Sequence, residues 1–170
     1  MDVLTGELRA ETYLQESFDA ILMSHVIEHM QDPQAVIAET LRLLRPGGVL
    51  IILTPNTKSL GHRWFKHNWL HLDPPRHLHL FNCSNLSKCC LDAGFDRVSY
   101  CSSSRDAHWT LGASLALRQQ KRYIVGQLPL LLKLLGFSLF YLEWFILLFF
   151  PEKGEEILIK AQRPTTDQTQ

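Results

Sequence analysis

Two histidines and a glutamate near the start of the chain have the residue types of a metal-dependent hydrolytic site. His25, Glu28 and His29 form an H-x-x-E-H pattern. Residues four apart lie on one face of a helix, so the two imidazoles could bind zinc while Glu28 acts as general base. A zinc peptidase is therefore one hypothesis, and it requires all three residues to lie within one continuous helix.

The residues on either side of this pattern predict a different setting. Residues 18–23 (FDAILM) form a short apolar run, typical of a strand buried on both faces. Asp32 suits an N-cap and Pro33 suits the first helical position, so a helix is expected to begin there. The H-x-x-E-H pattern then lies at a strand-to-helix junction, which disfavours the zinc hypothesis.

The next residues complete a strand–helix–strand unit. Pro46 cannot continue the helix, and Gly47 and Gly48 tolerate a left-handed turn. Residues 49–53 (VLIIL) follow as a second apolar strand. Two buried strands joined by a helix predict a parallel sheet covered by helices, so the fold class is α/β.

The rest of the chain extends this arrangement. Residues 57–80, rich in His, Trp and Pro, show no periodicity and predict a long loop, which is usually functional or disordered. Residues 84–93 predict a helix closed by Gly94, and residues 95–101 and 156–161 predict two further strands. We expect all four strands to form one sheet, the first two parallel and the last two antiparallel to each other.

Composition narrows the class of protein. A length of 170 residues suits one domain with its own core. The 17 basic and 17 acidic residues cancel, and no run of Lys or Arg exceeds two, which argues against a nucleic-acid partner. The 4 cysteines contain no C-x-x-C pair, which fits reduced thiols in a cytoplasmic protein better than a zinc knuckle or a disulfide framework.

Four ordered segments together carry a family resemblance. FDAILMSHVIEHMQDP is followed by LLRPGGVLIILTPN, then by WLHLDPPRHLHLFN and LDAGF. This series resembles the C-terminal portion of class I S-adenosylmethionine-dependent methyltransferases, in the group that includes the ubiquinone-biosynthesis O-methyltransferases. The resemblance implies a Rossmann-like, doubly wound sheet, S-adenosylmethionine as cofactor, and methyl transfer to an oxygen, nitrogen or carbon of a small or lipid-like acceptor.

The resemblance also implies cofactor-binding residues. Ligands of open parallel sheets bind beyond the carboxyl ends of the strands, and Ser24 and His25 follow the first strand directly. By resemblance, these two residues line the methionine half of the cofactor. Glu7 matches the acid that accepts a hydrogen bond from the adenine amino group, and Leu8 matches the neighbour that packs on the ring.

Residues 69–77 match the lid that this group of methyltransferases folds over the acceptor. Trp69 and Arg76 are therefore candidate substrate-binding residues, and Arg76 could pair with an acidic or phosphorylated acceptor. His77 is the candidate catalytic residue, because an imidazole can remove a proton from an acceptor hydroxyl near neutral pH. A purely structural Arg–His pair on a loop is the alternative.

The resemblance does not lead us to expect a bound metal ion. Ubiquinone-pathway O-methyltransferases carry a similar E-x-x-E-H segment associated with a divalent ion, but His25 replaces the first acid here. Magnesium prefers hard oxygen ligands, so the replacement makes this ion less suitable. A packed position at the strand end is the alternative for His29.

The sequence departs from the family pattern at its beginning. The strand with the G-x-G-x-G turn and the strand with the ribose-binding acid have no counterpart in these 170 residues. We therefore expect a truncated product, a fragment or a missing partner segment, with residues 18–23 at an exposed sheet edge and with weak cofactor binding. A catalytically inactive methyltransferase-like fragment that serves as a binding module is the alternative function.

Residues 128–150 are almost wholly apolar and long enough to span a bilayer. Lys133 and Glu143 oppose insertion, and flanking strands that pair in one sheet exclude a single crossing. Pro129 and Gly136 are expected to divide the run into two short helices. We predict a helical insertion that contacts a membrane surface or an apolar acceptor, in a cytoplasmic protein.

Overall fold

The computed structural model describes residues 13–120 and 128–165 of the chain. The strands in this part form one four-stranded mixed sheet in the order β1-β2-β4-β3. Strand β1 is parallel to β2, and β4 is antiparallel to both of its neighbours. The sheet predicted from the sequence is therefore confirmed. The strands are β1 (Phe18–Ser24), β2 (Leu44–Pro55), β3 (Arg97–Ser103) and β4 (Glu156–Gln162).

Five α-helices in the described residues connect these strands. Helix α1 packs against β2, α3 packs against β3 and β4, and α4 packs along α5. Short 3₁₀ turns occupy Ile27–His29, Lys66–Asn68 and Leu70–Leu72. The helices are α1 (Pro33–Leu43), α2 (Leu60–Phe65), α3 (Cys83–Asp92), α4 (Ala107–Gln120) and α5 (Leu130–Leu147).

The β1–α1–β2 unit has the predicted N-cap and the predicted glycine turn, but β2 is longer than the predicted strand. The Asp32 carboxylate caps α1 by accepting a hydrogen bond from Ala35 N at 3.0 Å. Strand β2 then follows α1 without a loop and includes the Pro-Gly-Gly sequence. Gly47 has φ +80°, and the pairing of β1 with β2 shifts register between Phe18 and Ala20. The glycine turn is thus an irregularity within a paired strand.

The apolar core lies between the sheet and helices α1 and α3. Ile37 on α1 and Leu86 on α3 are fully buried, and they share one cluster with Ile52 and Ile157 of the strands. Strand β1 lies at an edge of the described sheet, where Leu22 is 64% exposed. The edge position agrees with the strand order expected from the resemblance.

The stretch predicted as a long loop contains helical structure. Helix α2 begins after Ser59, whose hydroxyl accepts a hydrogen bond from His62 N at 3.0 Å. Two single 3₁₀ turns follow it. Elements this short repeat an apolar position only once or twice, so a periodicity search does not detect them. The loop prediction is corrected for residues 60–72.

The apolar run contains one long helix rather than two short ones. Pro129 precedes α5, and Gly136 lies inside it. A Cβ atom at Gly136 would lie 2.3 Å from the His108 carbonyl oxygen and 3.1 Å from Gly112 Cα. Gly136 therefore permits close packing of α4 and α5 and does not break the helix, which corrects the prediction.

Helix α5 is long and apolar enough to cross a membrane, judged by length and composition alone. Its outer surface is mostly exposed in the described structure. However, β3 and β4 flank the α4–α5 pair and are paired along their whole length, from Arg97 with Gln162 to Ser103 with Glu156. The connecting chain must leave and return on one side of a bilayer, so a single crossing does not fit this fold.

Candidate functional site

A cavity of about 370 Å³ opens at the carboxyl edge of the sheet. Strand β1 ends there at Ser24, β2 ends at Pro55, and the antiparallel β4 begins there at Glu156. Ligands of open α/β sheets bind beyond this edge, so this cavity is the candidate site. We call it the edge cavity. Its lining comprises His25, His71, Arg105, Asp106, His108, Trp109, Thr110, Glu155 and Glu156.

His25 lies between two carboxylates at the mouth of the edge cavity. Its Nε2 donates to Glu156 Oε1 at 2.9 Å, and its Nδ1 lies 3.3 Å from Glu28 Oε1. The hydrogen bond to Glu156, and then the contact with Glu28, raise the pKa of His25 to about 9. His25 is therefore an imidazolium at neutral pH and cannot accept a proton. Its φ of 51° lies in the left-handed region, which is uncommon for a non-glycine residue.

Glu28 is the buried member of this group. Burial opposes its ionisation, but the contact with His25 and the hydrogen bond from Thr54 Oγ1, at 3.0 Å, lower its pKa below the ordinary value. Its Oε1 atom accepts no hydrogen bond within the described structure. Glu28 thus stays ionised and, together with Glu156, favours the charged form of His25.

His71 is a functional candidate that the sequence analysis missed. Its side chain lines the edge cavity, and Nε2 lies 3.0 Å from Thr110 Oγ1. Burial, and then the electrostatic influence of His25 and His77, lower the pKa of His71 to about 4. The ring is therefore neutral at physiological pH. Its place in the same W-L-H-L-D-P-P-R-H segment as the predicted residues was the available signal, but the pattern did not indicate which histidine faces the cavity.

Trp69 lies behind the cavity wall rather than on it. The residue is 1% exposed, and its Nε1 donates to Glu155 Oε2 at 2.6 Å. Gly61 N donates to the other carboxylate oxygen at 2.7 Å. Burial raises the pKa of Glu155, and the hydrogen bond from Trp69 opposes that rise. A contribution of Trp69 to substrate binding would therefore act through Glu155.

Glu143 is a second buried acid beneath the same region. It is fully buried on α5, and neither of its carboxylate oxygens has a hydrogen-bond partner among the described residues. Burial, and then the charge of Glu155, raise the pKa of Glu143 to about 8. A neutral carboxylic acid is thus favoured at neutral pH, since an unpaired buried carboxylate is costly.

The predicted cofactor residues are only partly within the described structure. Ser24 is exposed at the end of β1, and His25 follows it on the cavity lining. Glu7 and Leu8 lie outside the described residues. The structure thus brings His25 to the edge cavity and sets Ser24 beside it.

The other two predicted site residues, Arg76 and His77, do not line the edge cavity. Arg76 is exposed and pairs with Asp73. His77 Nδ1 donates to the His71 carbonyl oxygen at 2.6 Å, and the His77 ring is stacked 6.5 Å from the His71 ring. His77 therefore forms a layer behind His71.

The H-x-x-E-H pattern does not form the helix that a zinc peptidase requires. Only Ile27–His29 is helical, as a single 3₁₀ turn, and His25 precedes it in a left-handed conformation. His25 and His29 therefore do not share a helical face. One group of potential metal ligands is present, since donor atoms of Glu28, His29 and His77 lie within 4.8 Å of one another. One carboxylate and two imidazoles suit a zinc-like ion better than magnesium.

Comparison with known proteins agrees with the fold. Residues 5–100 match the family model described as a methyltransferase domain. A Mycobacterium tuberculosis protein named for S-adenosylmethionine-dependent methyl transfer is 30% identical over 133 residues, which is 74% of this chain and 46% of that protein. The ubiquinone biosynthesis O-methyltransferase of Parvibaculum lavamentivorans is 45% identical over 47 residues, or 28% of this chain and 19% of the relative.

Solved structures share the fold. An S-adenosylmethionine-dependent methyltransferase from Thermotoga maritima superposes with a TM-score of 0.57 at 18% identity, covering 89% of this chain and 58% of that structure. The [4+2]-cyclase SpnF superposes at 0.54 and 20% identity, covering 93% and 54%. The architecture is thus the Rossmann-like methyltransferase sheet, and such likeness defines fold rather than reaction.

The chain belongs to the S-adenosylmethionine-dependent methyltransferase family. The family model covers more than half of it, from the segment before β1 into β3. S-adenosylmethionine is the cofactor of this family. The chain spans less than half the length of the curated relatives described above.

The resemblance assigns two described residues, Ser24 and His25, to the methionine half of this cofactor. Ser24 is accessible at the end of β1, and His25 follows it on the cavity lining, between the carboxylates of Glu28 and Glu156. Glu7 and Leu8, the residues assigned to the adenine, lie outside the described structure. Binding of the cofactor by Ser24 and His25 therefore stays a prediction.

Proposed function

We propose that this protein transfers a methyl group from S-adenosylmethionine to a small or lipid-like acceptor bound in the edge cavity. The observation that carries the proposal is the cavity itself, at the carboxyl edge of the sheet and lined by His25, His71 and Glu156. S-adenosylmethionine supplies an activated methyl group on its sulfonium, so the protein mainly has to position the acceptor and exclude water.

The cavity residues suggest separate roles. His25 is a fixed cation that orients Glu156 at the rim. His71 presents a neutral imidazole that can hold an acceptor hydroxyl or amine by a hydrogen bond, and Thr110 orients its ring. His77 remains the candidate general base from the sequence, and its position behind His71 supports an indirect role through that ring.

Transfer of radiolabel tests the proposed reaction. The full-length protein is incubated with methyl-labelled S-adenosylmethionine and with an extract of lipids and small molecules from the cells that produce it. We expect label in an acceptor, reduced about tenfold by His71→Gln, because the variant loses a hydrogen bond that holds the acceptor. His77→Gln should reduce it less, and His67→Gln, at an exposed residue outside the cavity, should leave it unchanged.

Absence of any labelled product would favour the alternative, a methyltransferase-like binding module. Equal losses in His71→Gln and His77→Gln would instead support His77 as the base that the sequence predicted.

We also propose that α5 lies on a cytoplasmic membrane surface as a peripheral contact. The support is the outer face of α5, where Trp144 and Phe145 are exposed beside several leucines, and the turn after it, where Phe149 is exposed. Aromatic and aliphatic side chains of this kind partition into the headgroup region of a bilayer. Such a contact would bring the edge cavity close to lipid-like acceptors.

Vesicle flotation tests the membrane contact. Trp144→Glu and Phe149→Glu should each reduce the fraction that floats with phosphatidylglycerol-containing vesicles by about tenfold, because a buried charge opposes insertion. Leu91→Glu on α3 is the matched control, since Leu91 is 51% exposed and Trp144 is 53% exposed. Equal flotation of the wild type and all three variants would contradict a membrane role for α5.

A further inference from the structure

A second, smaller cavity lies between α4 and α5. It has a volume of about 230 Å³ and is lined by His108, Trp109, Leu128, Lys133 and Phe137. We call it the helix-pair cavity. Most of its lining is apolar or aromatic, and Lys133 is exposed. The charged residues His25, Glu155 and Glu156 of the edge cavity do not line it.

The two cavities share a wall. His108 and Trp109 line both of them. The His108 ring is stacked on Phe137 of α5, with ring centroids 4.6 Å apart and planes inclined by 15°. The edge cavity and the helix-pair cavity are therefore adjacent, and they meet at His108 and Trp109.

We propose that the helix-pair cavity binds the alkyl chain of the acceptor, whose polar end lies in the edge cavity. This inference rests on the proposed function and adds the class of acceptor, an amphipathic molecule with one chain in this position. The volume argues for a single chain, because about 230 Å³ is below the range of ordinary small-molecule pockets and has no room for a helix or strand of a partner.

The chemistry of the lining supports the same occupant. Trp109, Leu128 and Phe137 offer dispersion contacts and no carboxylate. The aliphatic part of Lys133 can extend the apolar wall while its ammonium stays in water or meets an anionic headgroup. A chain leaving this cavity would meet the apolar outer face of α5, where Leu134 is 56% exposed.

Binding of a fluorescent alkylamine series to the wild-type protein tests the proposal. The probes carry one nitrobenzoxadiazole group and straight chains of increasing length, below their micellar concentrations. The dissociation constant should fall by up to about fourfold for each methylene that enters the cavity and then level off. A constant that does not change with chain length would overturn the proposal.

A pair of variants separates the cavity from the outer face of α5. Phe137 lines the cavity and is 45% exposed, whereas Phe145 is 55% exposed and lies outside its lining. Phe137→Glu should weaken binding of the longer probes by at least about tenfold, the equivalent of about two buried methylenes. Phe145→Glu should leave the constant within about twofold. Equal weakening by both would assign the probe to the outer face and overturn the proposal.

Photolabelling of the wild type gives a measurement that does not depend on how the variants fold. An alkyl probe with a terminal diazirine should label Trp109, Leu128 or Phe137, while labelling confined to Phe149 and Phe150 would contradict the cavity. Neither readout needs the cofactor. If binding depends on chain length but no methyl transfer occurs, the alkyl-chain site is supported and the proposed function is not. If acceptors without an alkyl chain are methylated, the proposed function is supported and the alkyl-chain site is not.

Discussion

At the scale of single residues, charge at the edge cavity is set by carboxylates that hold one histidine protonated. His25 contacts Glu156 and Glu28 at 2.9 and 3.3 Å, and its pKa is about 9. His71, which faces the same cavity, is partly buried and has a pKa of about 4. One imidazole is therefore charged and the other neutral across the physiological range, so the two can serve as fixed cation and hydrogen-bond partner.

Removing the larger cause of the His25 shift should move its titration. In Glu156→Gln, we expect the pKa of His25 to fall from about 9 towards its ordinary value of 6.5. Nuclear magnetic resonance of the ring protons measures it directly. Glu39→Gln, which removes a carboxylate paired with Arg42, is the control and should leave the titration of His25 unchanged.

The ion pair between His25 and Glu156 also contributes to the stability of the folded protein. Because the folded-state pKa is raised, the contribution of His25 is fully present below pH 6.5 and is lost as pH rises through about 9. His25 is partly exposed, so solvent screens this contribution. A pKa near 6.5 for His25 in the wild type would show that neither Glu156 nor Glu28 stabilises the charged imidazole.

Glu143 should behave in the opposite sense, because a raised pKa on a carboxyl group penalises the folded state at higher pH. We expect Glu143→Met to stabilise the protein by about 1–3 kcal/mol at pH 8, since it removes a buried acid whose oxygens lack partners in the described structure. The difference between variant and wild type should grow as pH rises from 4.5 to about 8. Urea unfolding at several pH values measures it.

The matched control for Glu143 is Glu152→Met, the same substitution at an exposed carboxylate that bonds Tyr100. Its effect should stay within about 0.5 kcal/mol at all pH values. If Glu143→Met instead destabilises the protein at pH 8, the hydrogen bond between Glu143 and the Glu155 backbone outweighs the cost of burying the carboxyl group.

At the scale of elements, the α4–α5 pair places α5 next to the cavity-lining part of α4. The backbones meet where Gly112 of α4 faces Gly136 of α5. This contact holds Phe137 against His108 and thereby forms the wall shared by the two cavities. The glycines therefore matter to the shape of both sites, although neither contributes a side chain.

Gly136→Ala should separate the two helices. The added Cβ would lie 2.3 Å from the His108 carbonyl oxygen, which belongs to the backbone and cannot rotate away. We expect a loss of about 1–3 kcal/mol from overpacking, reduced by the better helix propensity of alanine. Thermal unfolding and near-ultraviolet circular dichroism measure stability and aromatic packing. Ser138→Ala, two residues along the same helix, should change stability by less than about 0.5 kcal/mol.

At the scale of the whole molecule, the described sheet carries Ser24 and His25, the two described residues that we propose for cofactor binding. Ser24 and His25 lie at the carboxyl edge, and the sequence contains no G-x-G-x-G turn to approach the remainder of the cofactor. We expect residues 1–170 by themselves to bind S-adenosylmethionine weakly, with no micromolar binding in isothermal titration calorimetry. Micromolar binding would mean that these residues form a sufficient cofactor site without a glycine loop.

The sequence by itself determined the β1–α1–β2 unit, the four-strand sheet and the family, because these depend on local signals. Asp32 and Pro33 begin α1 through contacts within one turn, and the apolar runs of the strands are continuous in sequence. The ordered motifs also located the edge of the sheet where His25 lies. The structure confirmed these features, with a longer β2 around Gly47.

Only the tertiary structure decided which side chains face the cavity and in what charge state. His25 is charged because Glu156, 131 residues later in the chain, meets it at the sheet edge. His71 lines the cavity while His77 lies behind it and Trp69 lies buried against Glu155, although all three belong to one short segment. Gly136 lies within a helix because it faces Gly112. Such choices depend on contacts between distant residues, and local propensity and periodicity do not contain that information.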